Sequence, residues 1–268
     1  MIVGTLGRKH KGQALTEMLI TFAWGIPLLL VIVQLGMLYR TKATLNDATF
    51  RAAREGSLHH AYTAVMEDAL VRGMMPSQYA VKPGNKPSLL DYELSKEKMV
   101  IAYKTTHAMG AKVEVVSPTQ AIFQKIAKRS WVLRKCPSKN GCPHRGSYRE
   151  VAVNKRPYQI PNDNLKQRST HTVKAGGVDI NIQDANLLRI RSTWCEEMKV
   201  PVVNALIWNT LDSLGGLGSP KGWSRCKAMG ALHGGYYLPL SGHSVIRMQT
   251  PVQCEGNITG NKKCKNLN

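Results

Sequence analysis

The chain has few acids, few aromatics and, with one exception, no long apolar run. Only 17 Asp and Glu stand against 37 Lys and Arg among 268 residues, a formal net charge of +20. Aromatic residues make up 6%, with three Phe, which leaves few platforms for stacking bases and counts against a dedicated single-strand reader. No G-x-S-x-G, P-loop or H-E-x-x-H spacing occurs, so no common hydrolase, nucleotide-binding or metalloprotease motif is indicated. No catalytic residue, metal or cofactor is therefore assigned. Hydrophobic residues at 43% and charged residues at 20% suit a folded chain and exclude wholesale disorder or a many-span membrane protein.

The one apolar run, Met18 to Tyr39, contains no charged residue. About 20 apolar residues rising 1.5 Å each cross a hydrocarbon core of about 30 Å, so this run predicts a single membrane span. Pro27 should kink the helix without ending it. A cleaved secretory signal would have an apolar region of about 7–15 residues and an A-x-A-like site after it. Here the run is longer and leads into Tyr39-Arg40-Thr41-Lys42. Basic residues flank it on both sides, so charge counting leaves the orientation open.

Glu17 lies at the mouth of this run. An ionised carboxylate near hydrocarbon is costly without a partner, so it is either solvated at headgroup level or a functional group. Gly7-Arg-Lys-His-Lys-Gly12, then Gln13-Ala-Leu-Thr-Glu17 and an uninterrupted apolar helix, resembles the type IV prepilin leader. That resemblance implies cleavage between Gly12 and Gln13 by prepilin peptidase on the cytoplasmic face. It also implies that Glu17 pairs with the free amine of a neighbouring subunit during assembly. The N-terminus would then be cytoplasmic and the rest exported. Gln13 stands where major pilins have an aromatic, and Met18 where Flp-type pilins have Tyr. These differences, with the length of the chain, fit the TadE/TadG-like proteins of the tight-adherence pilus system. Four further stretches resemble segments of that group: Leu45–Gly56, Asn186–Cys195, Met198–Asn204 and Val245–Pro251.

Beyond the span, Leu45, Ala48, Ala52, Gly56, His59, Tyr62, Met66 and Ala69 recur at helical spacing. They predict an extended spine helix to residue 72, ended by Gly73-Met-Met-Pro76. Small residues at Ala48, Ala52 and Gly56 would let a sheet or a second helix approach closely. His59 and His60 are sequential neighbours that point to different helix faces and do not make a metal site. Further along, Lys112–Val116 reads as a strand, and Ser117-Pro118 as the start of a helix over Thr119–Leu133. Val178–Ile182, Leu187–Trp194 and Val245–Thr250 read as strands. Val200–Leu214 reads as a short amphipathic helix, suited to packing on a sheet or to lying on a membrane surface.

Six cysteines, Cys136, Cys142, Cys195, Cys226, Cys254 and Cys264, all follow the span. Their even number and placement favour disulfides in an oxidising compartment. Six cysteines allow 15 connectivities; sequence proximity favours 136 with 142 and 254 with 264, which leaves 195 with 226.

The expected organisation is thus an α+β chain: leader 1–12, transmembrane helix 13–39, spine extension 40–72 and exported disulfide-bearing domain 73–268. The resemblance implies a single-pass protein of the bacterial inner membrane, its C-terminal domain periplasmic or carried into the pilus. It would act in pilus assembly or adhesion without catalysis. Its partners would be prepilin peptidase, other pilins or pseudopilins, the inner-membrane assembly platform and the membrane. An exported adhesin or DNA-uptake module is the alternative, its basic surface binding DNA or anionic surface polymers.

Overall fold

The computed structural model describes residues 13–78, 93–94, 110–129, 131–135, 148–152, 158–168, 171–175, 177–214 and 220–253. Helix α1 (Gln13–Leu58) runs through Pro27 without a break for 46 residues, about 69 Å at 1.5 Å per residue. Its two halves meet different surroundings. From Leu15 to Leu29 every position is exposed, including Phe22, Trp24 and Leu28. From Gln34 onward, burial recurs at three- and four-residue steps through Leu38, Thr41, Leu45, Ala48, Ala52 and Gly56. That spacing puts one face of the helix into a core.

The helical periodicity of the sequence continues past Leu58, but the helix does not. His60 and Ala61 adopt left-handed φ angles of 54° and 62°, each costing about 1 kcal/mol or more for a residue with a side chain. They reverse the chain into α2 (Thr63–Gln78), which packs back along α1. Residues nearly two hundred positions away hold this turn. The Ser57 carbonyl accepts from the Gln249 and Thr250 N–H groups at 3.1 and 3.0 Å. The Thr250 hydroxyl accepts from His60 N–H at 3.0 Å, and His60 Nδ1 lies 2.8 Å from the Pro251 carbonyl oxygen. No local pattern could reveal these partners.

The remaining elements are β1 (Ala111–Ser117), α3 (Gln120–Ile126), β2 (Lys128–Arg129), β3 (Trp131–Lys135), β4 (Tyr148–Ala152), β5 (Tyr158–Ile160), β6 (Val173–Ala175), β7 (Val178–Ile180), α4 (Ile182–Ala185), β8 (Leu187–Glu197), α5 (Val203–Leu214), α6 (Trp223–His233), β9 (Tyr237–Arg247) and β10 (Val252–Gln253). The main sheet is antiparallel with order β1-β8-β9. Small pairings, β10-β5-β2, β3-β4 and β6-β7, surround it. Along β8 the inward residues Leu188, Ile190, Ser192, Trp194 and Glu196 are buried, whereas Leu187 and Arg189 are exposed. Over Leu187–Ser192 this period-two pattern gives the sheet one covered face; beyond it Thr193 and Cys195 are buried as well. Helix α1 packs on that face at β8 and β9, and α2 packs beside it at β1. The chain is therefore mixed α/β, built on a long N-terminal apolar helix.

Three expected elements change. The helix expected over 119–133 ends at Ile126: Thr119 caps it by accepting from Ile122 N–H. Lys128–Arg129 then pairs with β5, and Trp131–Lys135 with β4. Non-local strand partners outweigh the helical spacing there. The strand expected over 178–182 is cut at Asn181, whose side chain accepts from Asp184 N–H at 2.8 Å and starts α4. The last long strand begins at Tyr237, eight residues before the expected start, and ends at Arg247.

Gly73, an expected breaker, lies inside α2 because α2 meets α1 there. A Cβ on Gly73 would fall 2.6 Å from Ala48 Cβ and 2.8 Å from its Cα. Helix propensity alone predicts that Gly73→Ala stabilises by about 1 kcal/mol. Overpacking predicts the reverse, a loss of about 1–3 kcal/mol, partly recovered when Ala48→Gly is added. Thermal unfolding of the two variants checks the sign, and a raised Tm for Gly73→Ala would contradict this helix contact.

Candidate functional site

The residues with sequence-predicted roles lie along α1. Gly12 falls outside the described residues, and Gln13 is where α1 begins. Glu17 is exposed one turn later, on the same side of the helix as Gln13. Its backbone carbonyl accepts the Thr21 hydroxyl at 2.7 Å. The residues around it, Leu15, Met18, Leu19 and Ile20, are all exposed and apolar. The most apolar 18-residue stretch of α1 is almost wholly uncovered. Length, composition and exposure are together compatible with a single-pass membrane anchor.

The run was expected to remain lipid-facing to Tyr39, but the fold takes over earlier. Gln34 is 1% exposed, and its Oε1 accepts from Val200 N–H at 3.0 Å. Val200 follows the end of β8, so a buried side-chain amide fixes the sheet to α1. Two more polar contacts continue along the same face. The Thr41 hydroxyl donates to buried Glu196 at 3.2 Å, and Glu196 also accepts from Trp194 Nε1 at 3.1 Å. The hydroxyls of Thr49 and Ser192 bond to each other beside Gly242, where a Cβ would come within 2.8 Å of Ser192 Oγ. Reading by residue type missed all of these groups. The available signal was their shared face with Leu38 and Leu45.

The stretches Leu45–Gly56, Asn186–Cys195, Met198–Asn204 and Val245–Pro251, distant in sequence, meet around α1. Leu45–Gly56 carries Thr49 to Ser192 of the second stretch. Met198–Asn204 brings Val200 to Gln34. Val245–Pro251 holds the turn after Leu58, and its Met248 N–H donates to the Asn186 carbonyl at 2.8 Å. One contiguous unit results.

Cys195 and Cys226 form a disulfide with a Cα–Cα distance of 5.4 Å, joining β8 to α6. Closing a loop across 31 residues removes denatured-state freedom worth about 3.5 kcal/mol. Cys136, Cys142, Cys254 and Cys264 lie outside the described residues.

The outer side of the sheet is cationic. Arg189 and Arg191 on β8 oppose Val245 and His243 on β9, with Arg247 opposite Leu187. Lys42 donates to the Ser241 carbonyl nearby. Desolvation, and then the charges of Arg191, Arg189 and Lys42, hold the His243 pKa below the usual histidine range. Glu114 meets Arg191 across the strands, and this hydrogen bond, supplemented by Lys112, lowers its pKa. The pair therefore contributes stability above the ordinary carboxylate pKa and loses it as pH falls through the lowered one. Glu67 shows the opposite shift, because burial raises its pKa more than the Val113 N–H bond lowers it.

His59 and His60 do not share a site. His59 Nδ1 lies 3.0 Å from the Glu55 carbonyl oxygen, whereas His60 faces Pro251. Among the described residues no group of three His, Cys, Asp or Glu side chains is arranged to hold a metal. The chain matches no family model, no curated protein and no solved structure.

If Gln34 joins the sheet to α1, Gln34→Leu leaves the Val200 N–H buried without an acceptor and costs about 1–3 kcal/mol. A lipid-facing Gln34 would instead make the leucine neutral or stabilising. Urea unfolding in lipid nanodiscs separates the two.

Proposed function

We propose that this chain is a membrane-anchored, pilin-like assembly protein of the TadE/TadG kind, working by helix association and not by catalysis. The supporting observation is the division of α1 into a lipid-length exposed apolar half and a half that forms the centre of the folded domain. Because one uninterrupted helix contains both, movement or pairing of the membrane half is passed directly to the domain. In this reading prepilin peptidase cuts between Gly12 and Gln13, which frees an amine one helical turn from Glu17. The Glu17 carboxylate then pairs with the amine of a neighbouring pilin or pseudopilin. Low dielectric strengthens such a pair but also makes each charge costly alone, so pairing selects correctly aligned subunits. The protein would be single-pass in the bacterial inner membrane, its domain periplasmic or carried into the fibre, beside the assembly platform.

Glu17→Ala should abolish most pilus assembly, while the Cys195–Cys226 disulfide and thermal unfolding of the domain remain unchanged. Surface piliation scored by electron microscopy, with a non-reducing peptide map as the folding control, reads this directly. Normal piliation in the variant would remove the assigned role.

The cationic outer sheet face favours a second reading, in which the exported domain binds DNA or an anionic envelope polymer. Binding through Arg189, Arg191 and Arg247 rests on counterion release and should weaken steeply with salt. Titration of the full-length protein in nanodiscs against duplex DNA and an acidic polysaccharide tests it. The absence of binding to either at low salt would exclude this reading.

A further inference from the structure

Helix α5 is packed unlike the rest of the domain. Its described apolar side chains do not join the central hydrophobic cluster, and among them only Val203 is fully buried. Ala205, Ile207, Trp208 and Leu211 are half-covered, whereas Val202 and Leu206 are 74% and 59% exposed. One side of the helix is firmly held: Trp208 stacks on Trp223 at 4.4 Å, and Asp212 accepts from Trp223 Nε1 at 3.3 Å and from Lys227 at 3.0 Å. The exposed side turns polar after its first turn, at Asn209, Thr210 and Ser213. Among the described side chains the uncovered apolar surface is therefore at the N-terminal end.

That end sits at the level where α1 changes surroundings. Val200, three residues before α5, donates to Gln34, and α5 itself touches α1. From Leu15 to Val33, α1 is long enough to fill a hydrocarbon core at 1.5 Å per residue, which puts Gln34 at its edge. One small cleft is lined by Gln34 and Met37 together with exposed Lys199, Arg40 and Glu197 and buried Glu196. The arrangement is an apolar tip beside an anchor, with both cations and carboxylates at headgroup height and aromatics behind it.

We infer that the N-terminal end of α5 docks on the surface of the bilayer that holds α1, inserting Val202 and Leu206 at the acyl boundary while Lys199 and Arg40 meet anionic headgroups. The occupant is lipid because Val200, two residues before the exposed Val202, is bonded to Gln34 at the end of the exposed half of α1, so the patch and the anchor meet one surface. Interfacial helices bury their apolar side about 5–10 Å into this boundary. Two contacts, α1 through the bilayer and α5 on it, would fix the tilt of the domain and hence the direction in which its sheet faces a partner. This inference rests on the anchoring reading above.

The test uses full-length protein in nanodiscs of phosphatidylcholine and phosphatidylglycerol, with an environment-sensitive fluorophore on Leu206→Cys, on Val245→Cys or on Phe22→Cys. Val245 is as exposed and apolar as Leu206 but lies near the far end of β9. Lipids with a doxyl quencher near the headgroup should shift the 206 probe to the blue and remove most of its emission, and should leave the 245 probe unchanged. Quenchers deep in the acyl chains should act on the 22 probe. If the 22 probe is quenched and the 206 probe is not, the α5 contact is wrong and the anchor stands. A blue shift at 206 without lipid quenching would place a protein surface there and equally overturn the inference. If no probe is quenched, the anchoring reading itself fails.

Discussion

One face of the distal half of α1 is buried against α2 and the sheet, and its rotation about its own axis is fixed by three polar contacts spaced along that face. Gln34 holds the backbone after β8, Thr41 holds Glu196, and Thr49 holds Ser192. Apolar packing alone would tolerate a shift of the helix by a turn or a rotation by a fraction of one. Buried polar groups do not, because each displaced donor or acceptor loses its partner where water cannot replace it. The direction in which the exposed apolar half projects from the domain follows from those contacts.

Small residues make that arrangement possible. Ala48 faces Gly73 of α2, and Gly56 sits against Met66 of α2 and Leu188 of β8, so a helix and a strand converge on a section of α1 with almost no side-chain bulk. The turn at His60 and Ala61 brings α2 into this position. Its left-handed backbone is stabilised by the segment Gln249–Pro251 from the far end of the chain. Folding of the helical hairpin is thus coupled to completion of the sheet. The Cys195–Cys226 bridge adds a covalent link on the side where α5 and α6 extend from it.

Much of this architecture was legible in the sequence. The charge-free run identified the apolar half of α1, alternation located β1 and β8, and the three small residues marked the close approach. Cys195 and Cys226 pair, as the proximity of the other four left them. What was not legible depends on distant partners. Periodicity continues through His59–Tyr62, and only the hydrogen bonds from Gln249 and Thr250 explain why the chain turns. Trp131–Leu133 continues the expected helix in sequence and nevertheless lies in a strand, because Tyr148–Ala152 pairs with it. Gln34 lies inside the charge-free run, yet its buried side chain marks where the folded domain begins. At the candidate site, Glu17 and the cleavage point were visible as local motifs, whereas Thr41, Thr49, Ser192 and Glu196 gain meaning only once β8 lies against α1.

The central proposal is that α1 enters the membrane as a processed pilin-type helix with its first residue one turn from Glu17. N-terminal sequencing of the protein purified from cells with and without prepilin peptidase tests that most directly. The expected result is a chain that begins at Gln13 only when the peptidase is present. The same unprocessed N-terminus in both strains would contradict it, because no free amine would then lie beside the carboxylate.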